Sequence, residues 1–111
     1  MRNLKKVEAD LIAELLKDKV NTQDILENLP KLLVEEMSDG GMGSLKFIMN
    51  DGKKHSFYKE IAEITLLDID GVPVSFAINL DESGNIFELD VFKSDFSKLK
   101  KFPIQPYIVI K

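Results

Sequence analysis

Acidic side chains are the residues of this sequence whose types and spacing come closest to a catalytic arrangement. Glu88 and Asp90 stand two positions apart in an alternating run, so an extended chain places both carboxylates on one face, about 7 Å apart. Two carboxylates at that separation can act as general acid and general base. A solvated strand face accounts for the same pair without any chemistry, and we prefer that interpretation. The sequence therefore predicts no catalytic residue and no enzymatic activity.

Metal ligation has two candidate segments, and neither has the required pattern. In Asp68–Gly71 the glycine comes at the fourth position of a candidate calcium loop instead of the sixth, and Asn79 stands where the loop needs a glutamate. His55 is the single histidine and the chain has no cysteine, so a transition-metal site lacks its usual ligands. We expect no metal site, no thiol chemistry and no cofactor.

A glycine-rich segment, Gly40–Gly43, is the candidate for phosphate binding. It lacks the Gly-Lys-Ser/Thr ending of a phosphate loop, and the residues after it alternate as a strand instead of starting a helix. We therefore predict a hairpin turn here in place of an anion-binding nest.

Three strands must position the carboxylates. Val72–Leu80 alternates apolar and polar residues at period two, and Ile86–Phe92 repeats that pattern. Asp70-Gly71 tolerates the positive φ of a tight turn, and Asp81–Asn85 is a short turn that contains glycine. The sequence predicts three consecutive antiparallel strands, the first of them at Ile61–Ile69. Because that strand is apolar on both faces, we expect it to lie inside the sheet, covered on two sides or bordered by a partner.

The remaining segments predict two helices and further strands. Apolar residues recur at helical spacing from Leu4 to Leu16, and a shorter helix follows an Asn21 or Thr22 cap and ends before Pro30. The other predicted elements are strands at Lys31–Met37 and Ser44–Asn50, a turn at Asn50–Lys53, a helical turn at Ser94–Leu99 and a terminal edge strand at Tyr107–Ile110. We expect a single domain, residues 1–111, of the α+β class, with two N-terminal helices packed on a five- to six-stranded, mainly antiparallel sheet.

Composition restricts the partners. The 111 residues carry a net charge of −4 and a pI near 5.0, which argues against a nucleic-acid partner, because nucleic-acid binders present a basic face. No apolar run approaches the roughly 18 residues that span a bilayer, and the charged N-terminus is followed by no signal core. We expect a cytoplasmic protein without a membrane partner. Its acidity either attracts a basic protein or simply keeps the chain soluble.

The acidic and polar residues of the central strands form one collective candidate. With the pairing assumed above, four of them share the polar side of the sheet with Ser75, and four more lie at the turns. The members on the sheet are Glu63, Asn79, Glu88 and Asp90, and those at the turns are Asp68, Asp70, Asp81 and Glu82. Together they predict a binding surface for a basic protein.

Two segments resemble a family of small uncharacterised bacterial proteins. They are Asp39–Leu45 (DGGMGSL) and Phe87–Lys93 (FELDVFK), the second followed by Asp95–Leu99 (DFSKL) and Phe102-Pro103. The N-terminal Arg2-Asn3-Leu4, with Glu8 and Leu11-Ile12, fits the same family. In size, acidity and lack of catalytic motifs the chain is similar in class to immunity proteins, which neutralise a toxin encoded beside them.

This resemblance implies a binding protein that covers the active site of a cognate toxin, a basic protein such as a nuclease. Two alternatives remain open. The first is a self-associating structural module without a toxin partner, a homodimer formed through Tyr107–Ile110. The second is an enzyme that uses Glu88 and Asp90, for which the sequence predicts a pocket that holds a perturbed carboxylate.

Overall fold

A computed structural model describes residues 1–49 and 51–110, and it confirms the α+β class. In these residues two helices accompany a six-stranded antiparallel sheet. The elements are β1 Arg2–Asn3, α1 Lys6–Leu16, α2 Gln23–Asn28, a 3₁₀ turn Leu29–Lys31, β2 Leu33–Glu36, β3 Leu45–Ile48, β4 Phe57–Leu67, β5 Pro73–Asp81 and β6 Ile86–Lys93. The strand order in the sheet is β1-β2-β3-β6-β5-β4.

The amphipathic pattern of α1 explains why the helix packs on the sheet. Its apolar residues Leu11, Ile12 and Leu16 are fully buried. The helix begins where Glu8 accepts a hydrogen bond from the backbone N–H of Lys5 (2.8 Å) and a paired contact from the guanidinium of Arg2 (2.8 and 2.9 Å). Glu8 therefore satisfies a free helix amide and fixes the first strand against the helix.

The three central strands form the predicted antiparallel meander. In β5, Val74, Phe76 and Ile78 are buried on the face that the helices cover, together with Leu89 and Val91 of β6. Pro73 is the first residue of β5, where its missing N–H costs no ladder bond. Since side chains alternate along a strand, the residues between these apolar positions point to the opposite face of the sheet.

The Gly40–Gly43 segment is the predicted hairpin turn, because it joins the antiparallel partners β2 and β3. Gly40, Gly41 and Gly43 all have positive φ, a conformation that glycine adopts at little cost. The carboxylate of Asp39 accepts hydrogen bonds from the backbone N–H groups of Met42 (3.1 Å) and Ser44 (2.9 Å). The backbone N–H groups of the turn are thus bound to a carboxylate of the same turn.

Strand β4 is not the interior strand that its two apolar faces predicted. It pairs with β5 and is the outermost strand of the described sheet. Its apolar side chains on the face away from the core are exposed instead of covered by a further layer, with Leu67 55% exposed and Ile69, just beyond the strand, 71% exposed.

Two predictions for the C-terminal quarter are also wrong. Ser94–Leu99 contains no helical turn, because Phe96 adopts a φ of 64° and closes a tight turn by donating its N–H to the carbonyl of Lys93 (2.9 Å). Tyr107–Ile110 forms no strand, although the N–H of Ile110 donates to the carbonyl of Thr65 in β4 (2.9 Å). Pro103 and Pro106 precede that segment and cannot donate to a ladder.

The predictions that include Asn50 or Lys111 lie partly outside the described residues. They are the end of the Ser44–Asn50 strand, the Asn50–Lys53 turn and the end of the domain at residue 111. Within the described ranges no helix has the length and apolar character needed to cross a membrane.

Candidate functional site

The face of the sheet opposite the helices carries a row of charged and polar side chains across five strands. The strand register pairs Glu35 of β2 with Lys46 of β3, Lys46 with Glu88 of β6, Glu88 with Asn79 of β5, and Asn79 with Glu60 of β4. Residues paired across antiparallel strands point to the same face, so the five side chains lie side by side. Asn79 is buried beneath its neighbours and donates a hydrogen bond to Glu88 (3.1 Å).

Two further rows complete this surface, which we call the open face. Asp90, Ala77 and Glu63 form the second row, and Phe92, Ser75 and Thr65 form the third. Phe92 is 44% exposed and contacts Phe96, which is 71% exposed, with the ring centroids 5.2 Å apart in an edge-to-face arrangement. The open face therefore joins a carboxylate-rich area to an exposed aromatic pair.

The residues predicted for partner binding divide into three places. Glu63, Asn79, Glu88 and Asp90 share the open face, as the assumed register required. Asp68 and Asp70 lie at the β4–β5 turn, whereas Asp81 and Glu82 lie at the β5–β6 turn, at the other end of β5. The structure does not bring these two pairs together.

Two of the turn acids are inaccessible to a partner. The side chain of Asp68 is 0% exposed and that of Asp81 is 1% exposed. Their carboxylates are engaged within the chain, so we do not include them in a binding surface. Each belongs to a charge cluster built around one basic residue.

The first cluster surrounds Lys93, whose side chain is 0% exposed on the helix-covered face of β6. Its ammonium group donates to Asp68 Oδ2 (2.8 Å), to Asp70 Oδ2 (2.6 Å) and to the carbonyl oxygen of Lys98 (3.1 Å). An ammonium group has three donors, and all three are used. Desolvation opposes the charge of Lys93, but the two aspartates outweigh it and raise the pKa of the lysine.

Asp68 also holds the segment that follows β6. Its carboxylate accepts the backbone N–H groups of Lys100 (2.7 Å), Lys101 (3.1 Å) and Ile69 (2.7 Å). Desolvation alone would raise the pKa of Asp68, but the hydrogen bonds from Lys100, Lys93, Ile69 and Lys101 outweigh it and lower the pKa to about 2. The Lys93 cluster therefore joins the β4–β5 turn to the C-terminal segment.

The second cluster surrounds His55, in the segment that leads into β4. Its Nε2 lies 3.0 and 2.9 Å from the two carboxylate oxygens of Asp51. Its Nδ1 faces Asp81 Oδ2 at 2.9 Å and Glu82 Oε1 at 3.6 Å. The hydrogen bond to Asp51 is the main cause of a raised pKa of His55, and desolvation acts against it. His55, Asp81 and Glu82 are thus a group of described residues that could ligate a metal ion.

Several members of these sites have no local signal in the sequence. Glu35, Lys46 and Glu60 join the open face only through the pairing of strands distant along the chain. His55 meets Asp81 and Glu82 only because the segment before β4 passes over the β5–β6 turn. Burial of Lys93 does have a signal in the sequence, because the residue continues the alternation of the buried residues Leu89 and Val91.

Comparison with known proteins gives a family and no functional relative. Neither the curated proteins nor the solved structures contain a match to this chain. Residues 1–103 match a family over almost the whole chain. That length covers the helices and strands of the described residues and all residues of both charge clusters. The chain therefore belongs to the family described as "Domain of unknown function (DUF6984)".

Proposed function

We propose that this chain is a bacterial immunity-type protein that binds a cognate toxin through the open face and covers the toxin's active site. One observation carries the proposal. The paired positions of the open face hold five carboxylates and one lysine, and neither helix of the described residues covers them. The carboxylates are Glu35, Glu60, Glu63, Glu88 and Asp90.

The charge of the open face favours a basic partner. Lys46, Asn79 and Ala77 separate the carboxylates within each row, so no two of them are paired directly. Glu88 and Asp90, two positions apart on one strand face, still repel each other, and the five carboxylates give the face a net negative charge. A basic surface that docks on the face removes this repulsion and is attracted from a distance. A toxin that acts on nucleic acid must present such a basic surface to its own substrate. The acidic face would occupy that surface and exclude the substrate.

The aromatic pair adds a means of specific contact. Exposed aromatic side chains are enriched in the energetically important centres of protein interfaces. Phe92 and Phe96 lie at the end of the open face and are both exposed. The acids would attract the partner and the aromatic rings would anchor it. Such a protein would act in the bacterial cytoplasm, beside its toxin.

Charge reversal on the open face tests the proposal. A pull-down from lysate of cells that carry the neighbouring genes should recover one basic protein at stoichiometric yield, and recovery should fall as salt is raised. Glu63→Lys/Asp90→Lys should abolish this recovery. Asp18→Lys/Glu27→Lys has the same net charge but changes exposed residues of the helical layer, and it should bind normally. Equal recovery by both double variants would exclude the open face.

The recovered protein's own activity provides the second half of the test. If it is a toxin, adding the wild-type chain at equal concentration should suppress that activity. The Glu63→Lys/Asp90→Lys variant should not suppress it. A partner that keeps full activity in the complex would rule out the immunity function while leaving the binding surface in place.

A second candidate function, self-association, is favoured by the exposed apolar groove at the β4 edge. This groove has a volume of about 320 Å³. Its lining includes Ile69 and Ile108, which are 71% and 83% exposed. Packing of two such grooves against each other would cover these apolar residues in a homodimer. Sedimentation that shows a concentration-dependent dimer, lost in Ile69→Lys and kept in Glu63→Lys/Asp90→Lys, would favour this alternative.

A further inference from the structure

We propose that His55, Asp81 and Glu82 bind one divalent transition-metal ion, for which Zn²⁺ is the best-suited probe. One ligand atom from each of the three residues lies within 4.8 Å of the other two. His55 Nδ1 is 2.9 Å from Asp81 Oδ2 and 3.6 Å from Glu82 Oε1. Ligands at about 2.0–2.2 Å from one zinc ion stand roughly 3 Å apart, so the spacing suits a single ion.

Two of the donor atoms are buried and lack a hydrogen bond. Among the described residues, neither Nδ1 of His55 nor Oδ2 of Asp81 has a hydrogen-bond partner, although the two atoms are close. The side chain of His55 is 10% exposed and that of Asp81 is 1% exposed. Buried polar atoms without partners are rare and costly in folded proteins. A cation between them would satisfy both at once.

Asp51 orients the imidazole ring of His55 so that Nδ1 can bind a metal. Both of its carboxylate oxygens lie within 3.0 Å of His55 Nε2, and a carboxylate only accepts, so an Nε2–H group donates a hydrogen bond to Asp51. The lone pair of the neutral ring then belongs to Nδ1, which faces two carboxylates. A carboxylate behind a histidine ligand is the usual arrangement around protein-bound zinc, where it fixes the tautomer and strengthens the ligand.

Backbone amides hold each carboxylate by one oxygen and leave the other oxygen available. Asp81 Oδ1 accepts the N–H groups of Ser83 (2.9 Å) and Asn85 (3.0 Å), which leaves Oδ2 toward His55. Glu82 Oε2 accepts the N–H of Ser56 (3.1 Å), which leaves Oε1 toward His55. The ligands are therefore fixed before any ion arrives, and three protein ligands leave a fourth position for water.

The donor set selects the class of ion. One imidazole nitrogen with two carboxylate oxygens suits Zn²⁺ or Mn²⁺, and the order of affinities for divalent ions places Zn²⁺ above Mn²⁺. Mg²⁺ prefers six oxygen ligands in a near-ideal octahedron and fits this set poorly. The competing occupant is a proton on Nδ1, which would make an ion pair with Asp81.

Calorimetric titration of the metal-stripped full-length chain with Zn²⁺ at neutral pH and about 0.15 M salt tests the site. We expect one ion per chain, with Mn²⁺ at least tenfold weaker and no binding of Mg²⁺. His55→Gln should weaken Zn²⁺ binding at least 100-fold. Asp81→Asn, which keeps an oxygen for the turn amides, and Glu82→Gln should each weaken it at least tenfold. Asp51→Asn should weaken it about 10- to 100-fold.

Asp90→Asn is the matched control, because it removes one carboxylate from the open face and none from the proposed metal site. This variant should bind Zn²⁺ as the wild type does. The Glu63→Lys/Asp90→Lys variant should also keep Zn²⁺ binding. The proposed metal site and the proposed toxin-binding surface can therefore be tested independently of each other. Circular dichroism of each metal-free variant checks its fold. Glu82 is the most exposed of the three ligands, so Glu82→Gln remains informative if Asp81→Asn does not fold.

Nitrogen NMR supplies an independent readout, since His55 is the single histidine of the chain. Zn²⁺ should shift the Nδ1 resonance and leave Nε2 protonated. Absence of saturable binding, or equal binding by His55→Gln, would overturn the proposal. In that case a doubly protonated ring without added metal would identify the proton as the occupant.

Discussion

Two clusters with the same plan lie at opposite ends of β5. Each places one basic side chain between acids of a hairpin turn and ties a neighbouring segment to that turn. In the Lys93 cluster every donor of the ammonium group has an acceptor, and the centre is 0% exposed. In the His55 cluster one ring nitrogen and one carboxylate oxygen remain without hydrogen bonds among the described residues.

The difference separates a structural cluster from one that can bind a ligand. A saturated buried ion pair has no donor or acceptor left for another molecule, and removing one partner leaves an uncompensated charge. A cluster with unpaired acceptor atoms near the surface gains from an added cation, and it loses little stability when its central side chain is removed. We therefore expect substitution to destabilise the Lys93 cluster far more than the His55 cluster, and added metal to affect the His55 cluster alone.

Replacement of Lys93 should have the largest effect on stability. Lys93→Met leaves Asp68 and Asp70 without their counter-charge in a buried position, and we expect Tm to fall by about 15 °C. Differential scanning calorimetry at neutral pH measures the change. Lys46→Met, on the open face, is the matched control and should change Tm by no more than about 2 °C. A loss of less than about 4 °C for Lys93→Met would mean that the cluster does not hold the fold together.

Acid should weaken the Lys93 cluster through Asp68. Its pKa of about 2 in the folded chain lies below the unfolded value of 3.8, so its stabilising contribution is present above pH 3.8. That contribution disappears as pH falls through 2. The difference in Tm between the wild type and Asp68→Asn should therefore shrink by about 5 °C from pH 5 to pH 2. An exposed control, Asp18→Asn, should run parallel to the wild type.

Replacement of His55 should have a much smaller effect than replacement of Lys93. In metal-free protein, His55→Gln removes a ring that contacts Asp51 and lies 2.9 Å from Asp81 Oδ2. Because Asp51 is partly exposed and Asp81 keeps its two backbone amides, we expect Tm to fall by only about 4 °C. Thermal unfolding in the presence of a chelator measures this. If His55→Gln lowers Tm as much as Lys93→Met does, the His55 cluster also stabilises the fold, and its two atoms without hydrogen bonds do not indicate a metal site.

The sequence could predict what depends on neighbours along the chain. The alternation of β5 and β6 and the Asp70-Gly71 turn established the meander, because strand period and turn chemistry are local. The edge position of β4 could not be deduced, since an apolar outer face is compatible with an interior strand or with an exposed groove. The His55 cluster was missed because a lone histidine is judged by its sequence neighbours, whereas its partners come from a distant turn.

The two aspartates of the Lys93 cluster should contribute unequally, and this is the smallest effect that we predict. Asp70 is 23% exposed and accepts from Lys93 and from the N–H of Val72, whereas Asp68 is 0% exposed and also holds the amides of Lys100 and Lys101. Asp70→Asn should lower Tm by about 3 °C, clearly less than Asp68→Asn at the same pH. Equal losses would show that the charge pair with Lys93 dominates the cluster. A larger loss of Tm for Asp68→Asn would assign the difference to the backbone amides of the C-terminal segment, which donate to Asp68 and not to Asp70.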